Sequence, residues 1–203
     1  MNETSYSPKE ILVFKGFNKL IEEGTSINNI RVSDIAKAAG IGKGTVYEYF
    51  KSKEEVIAKS IFYEMQIEFM SILEKSDKAD GFKNKCYVGF QEIMELMTKK
   101  MAYFQLLLTS KEIHEVFNCL NDGKDQIIEF RDFILKILEP TISIGIEENI
   151  INPNLEKKYI QSVFISVCSG LSTMVHFQLG ELKKEDIECN KEMAYKMLIK
   201  SLS

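Results

Sequence analysis

The sequence predicts an all-α protein, and three observations carry that prediction. Apolar residues recur at three- and four-residue intervals rather than alternating, which is the helical and not the strand period. Only three prolines and 11 glycines interrupt 203 residues, so breakers are sparse between the periodic segments. Two capping boxes, Ser7-Pro8-Lys9-Glu10 and Ser52-Lys53-Glu54-Glu55, each set an acceptor side chain three residues before a glutamate at the start of an amphipathic run. With 45% hydrophobic residues the chain has enough apolar surface for one or two compact domains.

The first box opens a helix running to about Glu23, with Pro8 at its first helical position. Leu12, Val13, Gly16, Phe17, Leu20 and Ile21 make its apolar stripe, and Gly24 is placed to end it in a left-handed conformation. A polar loop, TSINN, leads to a short helix from Val32 to Ala39 with Val32, Ile35, Ala36 and Ala39 on one face. After Gly40-Ile41-Gly42 a second short helix spans Lys43 to about Phe50. Two short helices joined by a tight glycine turn form a helix-turn-helix pattern. The second capping box then starts a long helix through Val56, Ile57, Ile61, Met65, Phe69, Ile72 and Leu73. Further helices are expected near 82–100, 101–109, 111–120, 124–149, 153–180 and 184–201, with no repeats and no low-complexity tract.

Composition removes several classes of function. Cys86, Cys119, Cys168 and Cys189 show no CxxC or Cys/His metal spacing and read as buried thiols in a reducing cytoplasm. His114 and His176 lie far apart without carboxylate partners, so no metal site is expected. MNETSYSPKE has no basic stretch leading into an apolar core, so no secretory signal is expected. Residues 159–180 carry no formal charge, but Gln161, Ser162, Ser166, Ser169, Ser172, Thr173, His176 and Gln178 are too many polar groups for a lipid-facing helix. They read as a helix buried in protein, and no membrane partner is expected. The net charge of −4 conceals an asymmetry: between Arg31 and Lys53, Arg31, Lys37, Lys43, Lys51 and Lys53 outnumber Asp34 and Glu48.

That basic segment contains AGIGKGTVYEYF, whose glycines and lysine admit two readings, a nucleotide loop or a DNA-contacting helix. A Walker loop needs a glycine five positions before Gly42, where this chain has Lys37, and a serine or threonine after the lysine, where it has Gly44. The dinucleotide fingerprint fails because the spacing is GxGxG, and both motifs require a preceding strand. As a helix-turn-helix, Gly40 supplies the left-handed turn while Ile35, Ala36, Ile41, Val46 and Phe50 lock the helices together. Lys43, Gly44, Thr45, Tyr47 and Tyr49 are left on the outer surface, with Tyr49 expected exposed and Tyr47 partly so.

The run Asp34 to Glu54, DIAKAAGIGKGTVYEYFKSKE, strongly resembles the TetR family of bacterial transcriptional regulators, and the likeness is dense over residues 8–62. The resemblance implies a homodimer in which a three-helix DNA-binding domain is joined by a long helix to a helical ligand-binding and dimerisation domain. On this chain it implies a boundary after residue 52, giving domains 1–52, with a reading unit at 31–50, and 53–203. By position, Lys43, Gly44, Thr45, Tyr47 and Tyr49 would face the major groove and its flanking phosphates, and Lys53 a backbone phosphate. The loop after Gly24 is two residues longer than the usual family spacing, and Ile30-Arg31 stands where a threonine or serine pair is common. Arg31 is therefore expected to take over a phosphate contact. Glu48 either accepts from a cytosine amino group or repels phosphate.

In the C-terminal half, Met94, Met97, Met101, Phe104 and Leu107 form a stripe that is either core or the wall of a pocket, since methionine adapts to varied apolar ligands. Met94, Met97, Phe104, Phe164 and His176 are the expected ligand-binding residues, with Gln91, Tyr103 or His176 supplying polar groups. A small-residue stripe, Ser162, Ser166, Gly170 and Thr173, with Met193, Met197 and Leu198 on the last helix, is expected to form half of a four-helix dimer interface.

The expected function is a dimeric repressor that binds a palindromic double-stranded DNA operator and leaves it when a small apolar or amphipathic ligand enters the C-terminal domain. An activator or a ligand-independent DNA organiser would share the reading helix. A helical enzyme or carrier would need a catalytic constellation that the sequence does not show, and neither catalysis nor a cofactor is expected.

Overall fold

The computed structural model describes residues 6–99, 124–177 and 183–203. Among the described residues the architecture is entirely helical: α1 (Pro8–Glu22), α2 (Val32–Ala39), α3 (Lys43–Tyr49), α4 (Lys53–Asp77), α5 (Gly81–Lys99), α6 (Lys124–Glu147), α7 (Lys157–Phe177) and α8 (Lys184–Leu202), with one 3-10 turn at Ile27–Asn29. The helices expected near 101–109 and 111–120 lie outside the described residues. The chain divides into two compact units, and the division falls within two helices: α4 belongs to the first unit through Ile67 and to the second from Glu68, and α6 belongs to the first through Phe130 and to the second from Arg131.

Local chemistry explains the N-terminal unit. Glu10 N–H donates to Ser7 Oγ at 3.3 Å and Ser7 N–H donates back to Glu10 Oε2 at 2.8 Å, completing the expected capping box. At the other end Gly24 has φ +83°, and the bonds Thr25 N–H to Leu20 O and Gly24 N–H to Ile21 O close the helix. Ser52 accepts from Glu55 N–H at 3.1 Å at the start of α4, while the Glu55 carboxylate reaches past the cap to Lys51 N–H at 2.6 Å.

The α1 stripe differs from the expected one. Leu12 is 40% exposed, whereas Phe14, which falls off the stripe, is fully buried. The reason is that α1 is covered on more than one side. Phe14 packs against Phe50 at 5.8 Å between ring centroids and against Tyr63 of α4 at 5.1 Å, while α2 crosses at Gly16. A Cβ at Gly16 would stand 2.8 Å from the Ala39 nitrogen and 2.9 Å from the Ile35 oxygen, so glycine sets the spacing of α1 and α2.

In the second unit α5, α7 and α8 pack on one another around Phe82, Cys86, Phe90, Met94, Ile142, Ile160, Phe164, Leu171 and Leu198. Gly145 of α6 lies so close to this core that a Cβ would meet Ile151 at 2.7 Å and Phe82 at 2.8 Å. The α6 helix ends at Asn149, φ +57°, which substitutes for glycine in the same left-handed cap. Beyond it, Asn152 Oδ1 accepts from Asn154 N–H at 2.9 Å, so Pro153 sits in a turn. The helix expected from residue 153 starts at Lys157 for that reason.

Candidate nucleic-acid interface

The interface is assembled from the ends of short helices. Arg31 occupies the cap of α2, and its N–H donates to Asp34 Oδ2 at 3.0 Å, leaving the guanidinium to solvent. Gly40, φ +69°, ends α2 in the left-handed conformation, and Ile41 N–H bonds Ala36 O at 3.0 Å. Gly42 then caps α3, accepting from Val46 N–H at 3.3 Å. Val46 and Phe50 anchor α3 in the core beside Ile35 and Ala36; Ile41 is only half-buried.

This anchoring turns the other face outward. Lys43, Gly44, Tyr47, Glu48 and Tyr49 are exposed and Thr45 is half-buried. Both tyrosines are exposed, but in the reverse of the expected order: Tyr47 at 50% and Tyr49 at 38%. The Lys43 ammonium lies 5.8 Å from the Tyr47 ring centroid, a cation–π contact that holds ring and charge at one spot. A Cβ at Gly44 would meet nothing within 4 Å, so the α3 backbone there is open to close approach.

Arg31, Lys43, Tyr47 and Lys53 converge on one open groove of about 640 Å³, completed by Asn28, Asn29, Ile30, Val32 and Ser33. No acidic side chain lines it, and none of the three cations forms an ion pair among the described residues. Three cations with asparagine and serine side chains and no carboxylate suit a polyanion with phosphate oxygens. Asn28, Asn29 and Ser33 escaped the sequence reading. The signal was the long polar TSINN loop immediately before Arg31, which supplies one wall of the groove.

A model of bacterial regulatory proteins of the tetR family matches residues 24–59, the stretch that builds this groove. The helix-turn-helix segment matches the TetR family. The chain is 26% identical over 175 residues to the fatty acid metabolism regulator protein of Bacillus subtilis, covering 83% of this chain and 84% of that one. Its fold is also that of the fatty acid degradation regulator FadR from Bacillus halodurans, with a TM-score of 0.64, 20% identity and 97% of each chain covered. The crystal structure of Bacillus subtilis FadR in complex with stearoyl-CoA matches with a TM-score of 0.63, 21% identity and coverage of 95% of this chain and 99% of that one.

The C-terminal residues fall into two groups. Met94 and Phe164 are buried in the core cluster, and Met97 packs half-buried against it. Phe104, Tyr103 and the side chain of His176 lie outside the described residues. Gln91 accepts from the Lys191 ammonium at 3.2 Å and donates to Glu95 at 3.1 Å. Ser162, Ser166, Gly170 and Thr173 form an exposed row on α7, flanked by exposed Tyr159, Ile165 and Met174. Met193 and Met197 are exposed on α8. Leu198 belongs instead to the core of its own unit, fully buried. Burial pushes the Cys168 thiol up to about 12, and the Cys86 thiol is raised as well, so both are inert apolar fillers at neutral pH. Among the described residues no helix is long and apolar enough to cross a membrane.

Proposed function

We propose that the protein is a homodimeric repressor that binds a palindromic operator and is released by a long-chain acyl ligand. The observation that carries the reading is the acid-free groove joining Arg31, Lys43, Tyr47 and Lys53 beside the exposed face of α3. Lys43, Gly44, Thr45, Tyr47 and Tyr49 approach base edges and flanking phosphates in the major groove. Arg31 and Lys53 hold the phosphate backbone. Residues 1–52, with Lys53 at the first position beyond them, carry this recognition, with 31–50 as the reading unit, and residues 53–203 otherwise bind ligand and form the dimer.

The dimer reading rests on the exposed row of small residues on α7 with Met193 and Met197 of α8. Small side chains let a second copy's helices approach, and the surrounding exposed apolar residues would otherwise stay in water. Two reading units related by a two-fold axis would enter successive major grooves about 34–36 Å apart. The acyl class of ligand is supported by the likeness to a fatty acid metabolism regulator and by the Met94, Met97 and Phe164 cluster, which offers adaptable apolar bulk. Ligand binding would shift the population toward a state whose reading units no longer match the operator, which requires tighter binding to that state than to the DNA-bound one. The protein would work in the cytoplasm, where its DNA is.

The test is a titration of an operator, found by selection from random duplexes, against the protein with and without stearoyl-CoA. Selected sites should be two-fold symmetric, and stearoyl-CoA should weaken binding about 5- to 150-fold, the usual span of an allosteric coupling. Asymmetric sites would exclude the symmetric dimer reading, and unchanged affinity with saturating acyl-CoA would exclude it as the effector.

A further inference from the structure

In the C-terminal unit one polar group is out of place. Asn190 is 4% exposed, and its side-chain nitrogen has no hydrogen-bond partner among the described residues. It shares a stripe of α8 with Ala194, Leu198 and Leu202, all members of the apolar core. A buried amide left without an acceptor costs stability that leucine at the same position would not.

Its level in the unit is fixed by its neighbours. The Lys191 ammonium bonds Gln91 of α5, and the Tyr195 ring lies 5.5 Å from that of Tyr87 and 6.2 Å from that of Phe82. The two helices therefore run antiparallel, and Asn190 stands level with the part of α5 that carries Gln91 and the fully buried Met94. The adjacent cation does not explain the amide, because Lys191 is already held by Glu188 at 2.6 Å and Gln91 at 3.2 Å. The layer thus presents one unused neutral donor beside an apolar cluster that contains flexible methionine, the pairing that an amphipathic molecule with a single acceptor requires.

We propose that Asn190 is the polar anchor of the acyl ligand, donating from its side-chain nitrogen to the carbonyl oxygen while the hydrocarbon chain lies among the apolar residues of α5, α7 and α8. This inference rests on the acyl-ligand reading above. The acceptor is either a thioester carbonyl or a free carboxylate, and the two sources separate in the test.

The experiment measures dissociation constants of stearoyl-CoA, stearate and the carbonyl-free S-octadecyl-CoA thioether for the full-length protein, Asn190→Leu and Asn190→Asp, together with the melting temperature of each. The wild type should bind the thioether about tenfold more weakly than stearoyl-CoA, the loss of one buried hydrogen bond. Asn190→Leu should melt no lower than wild type and bind the two CoA compounds equally. Asn190→Asp should reject stearate more strongly than stearoyl-CoA if a carboxylate is the natural partner. Equal wild-type affinity for the thioester and the thioether overturns the anchor while leaving the acyl-ligand reading standing, and this arm needs no variant to fold. Unchanged stearoyl-CoA affinity in a more stable Asn190→Leu overturns it as well. Failure of the wild type to bind any of the three overturns both readings.

Discussion

Replacing Gly16 by alanine should destabilise the DNA-binding unit, although the same change elsewhere in a helix stabilises. An added Cβ would lie 2.8 Å from the Ala39 nitrogen, 2.9 Å from the Ile35 oxygen and 3.0 Å from the Ala39 Cβ. Two of these are backbone atoms that no rotamer change can move, so α1 and α2 must part by about half an ångström to regain ordinary contact distances. Overpacking of this kind costs about 1–3 kcal/mol, while alanine recovers up to about 1 kcal/mol of helix propensity over glycine. The net is a loss of about 1 kcal/mol, roughly 2–4 °C in melting temperature for a protein of this size. Gly44→Ala in the same unit is the control, because its Cβ meets nothing within 4 Å and only the propensity gain remains. The assay is thermal unfolding of both variants followed by helical circular dichroism. If Gly16→Ala melts as high as Gly44→Ala, the backbone contact does not set the α1–α2 spacing.

Lys53→Ala should lower affinity for all DNA sequences about equally and reduce the slope of log affinity against log salt by about 0.9 for each half-site, measured by titration at several salt concentrations. A loss confined to one base position would assign Lys53 to base reading instead. Gly170→Arg should leave the monomer's fold intact, because a Cβ there meets nothing within 4 Å. The variant should nonetheless sediment as a monomer, whereas a stable DNA-binding dimer would exclude this face as the interface. Burial tends to raise the Glu55 carboxyl, but its bonds to the Lys59 ammonium and the Lys51 N–H outweigh that and hold it below the ordinary value of 4.5. A depressed folded-state value means that the carboxylate stabilises the fold above pH 4.5 and loses this contribution as pH falls through the lower folded value. The melting difference between wild type and Glu55→Gln should therefore be present at neutral pH and vanish on acidification below that range. A difference that persists in acid would mean that packing, not charge, is what glutamine disturbs.

What sequence could reveal depended on whether a residue's role was local. The cap at Ser7, the left-handed glycines at 24 and 40 and the outward face of α3 all follow from spacing within one or two turns, and the structure has each of them. Phe14 and Leu12 were misplaced because a single-stripe pattern assumes one buried face, and α1 is buried on more than one. The approach of α2 to Gly16 is a tertiary fact with no signature in either helix alone. Arg31 was legible as a cation before a helix, but its convergence with Lys43 and Lys53 on one groove depends on how three separate helix ends meet. Asn190 and Lys191 were invisible for the opposite reason: polar residues near a helix start read as solvent-facing, and here both are buried.

The sharing of α4 decides where this chain can be cut. Residues up to Ile67 belong to one unit and residues from Glu68 to the other, on one helix from Lys53 to Asp77. A fragment ending before α4 would lose Val56, Ile57 and Tyr63, which are buried in the first unit, and a fragment beginning after it would lose Ser76, whose hydroxyl donates to Lys85 O at 3.0 Å in the second. Either fragment would leave its core open to water on the side the helix covers, so neither end of α4 is a safe place for a scissor.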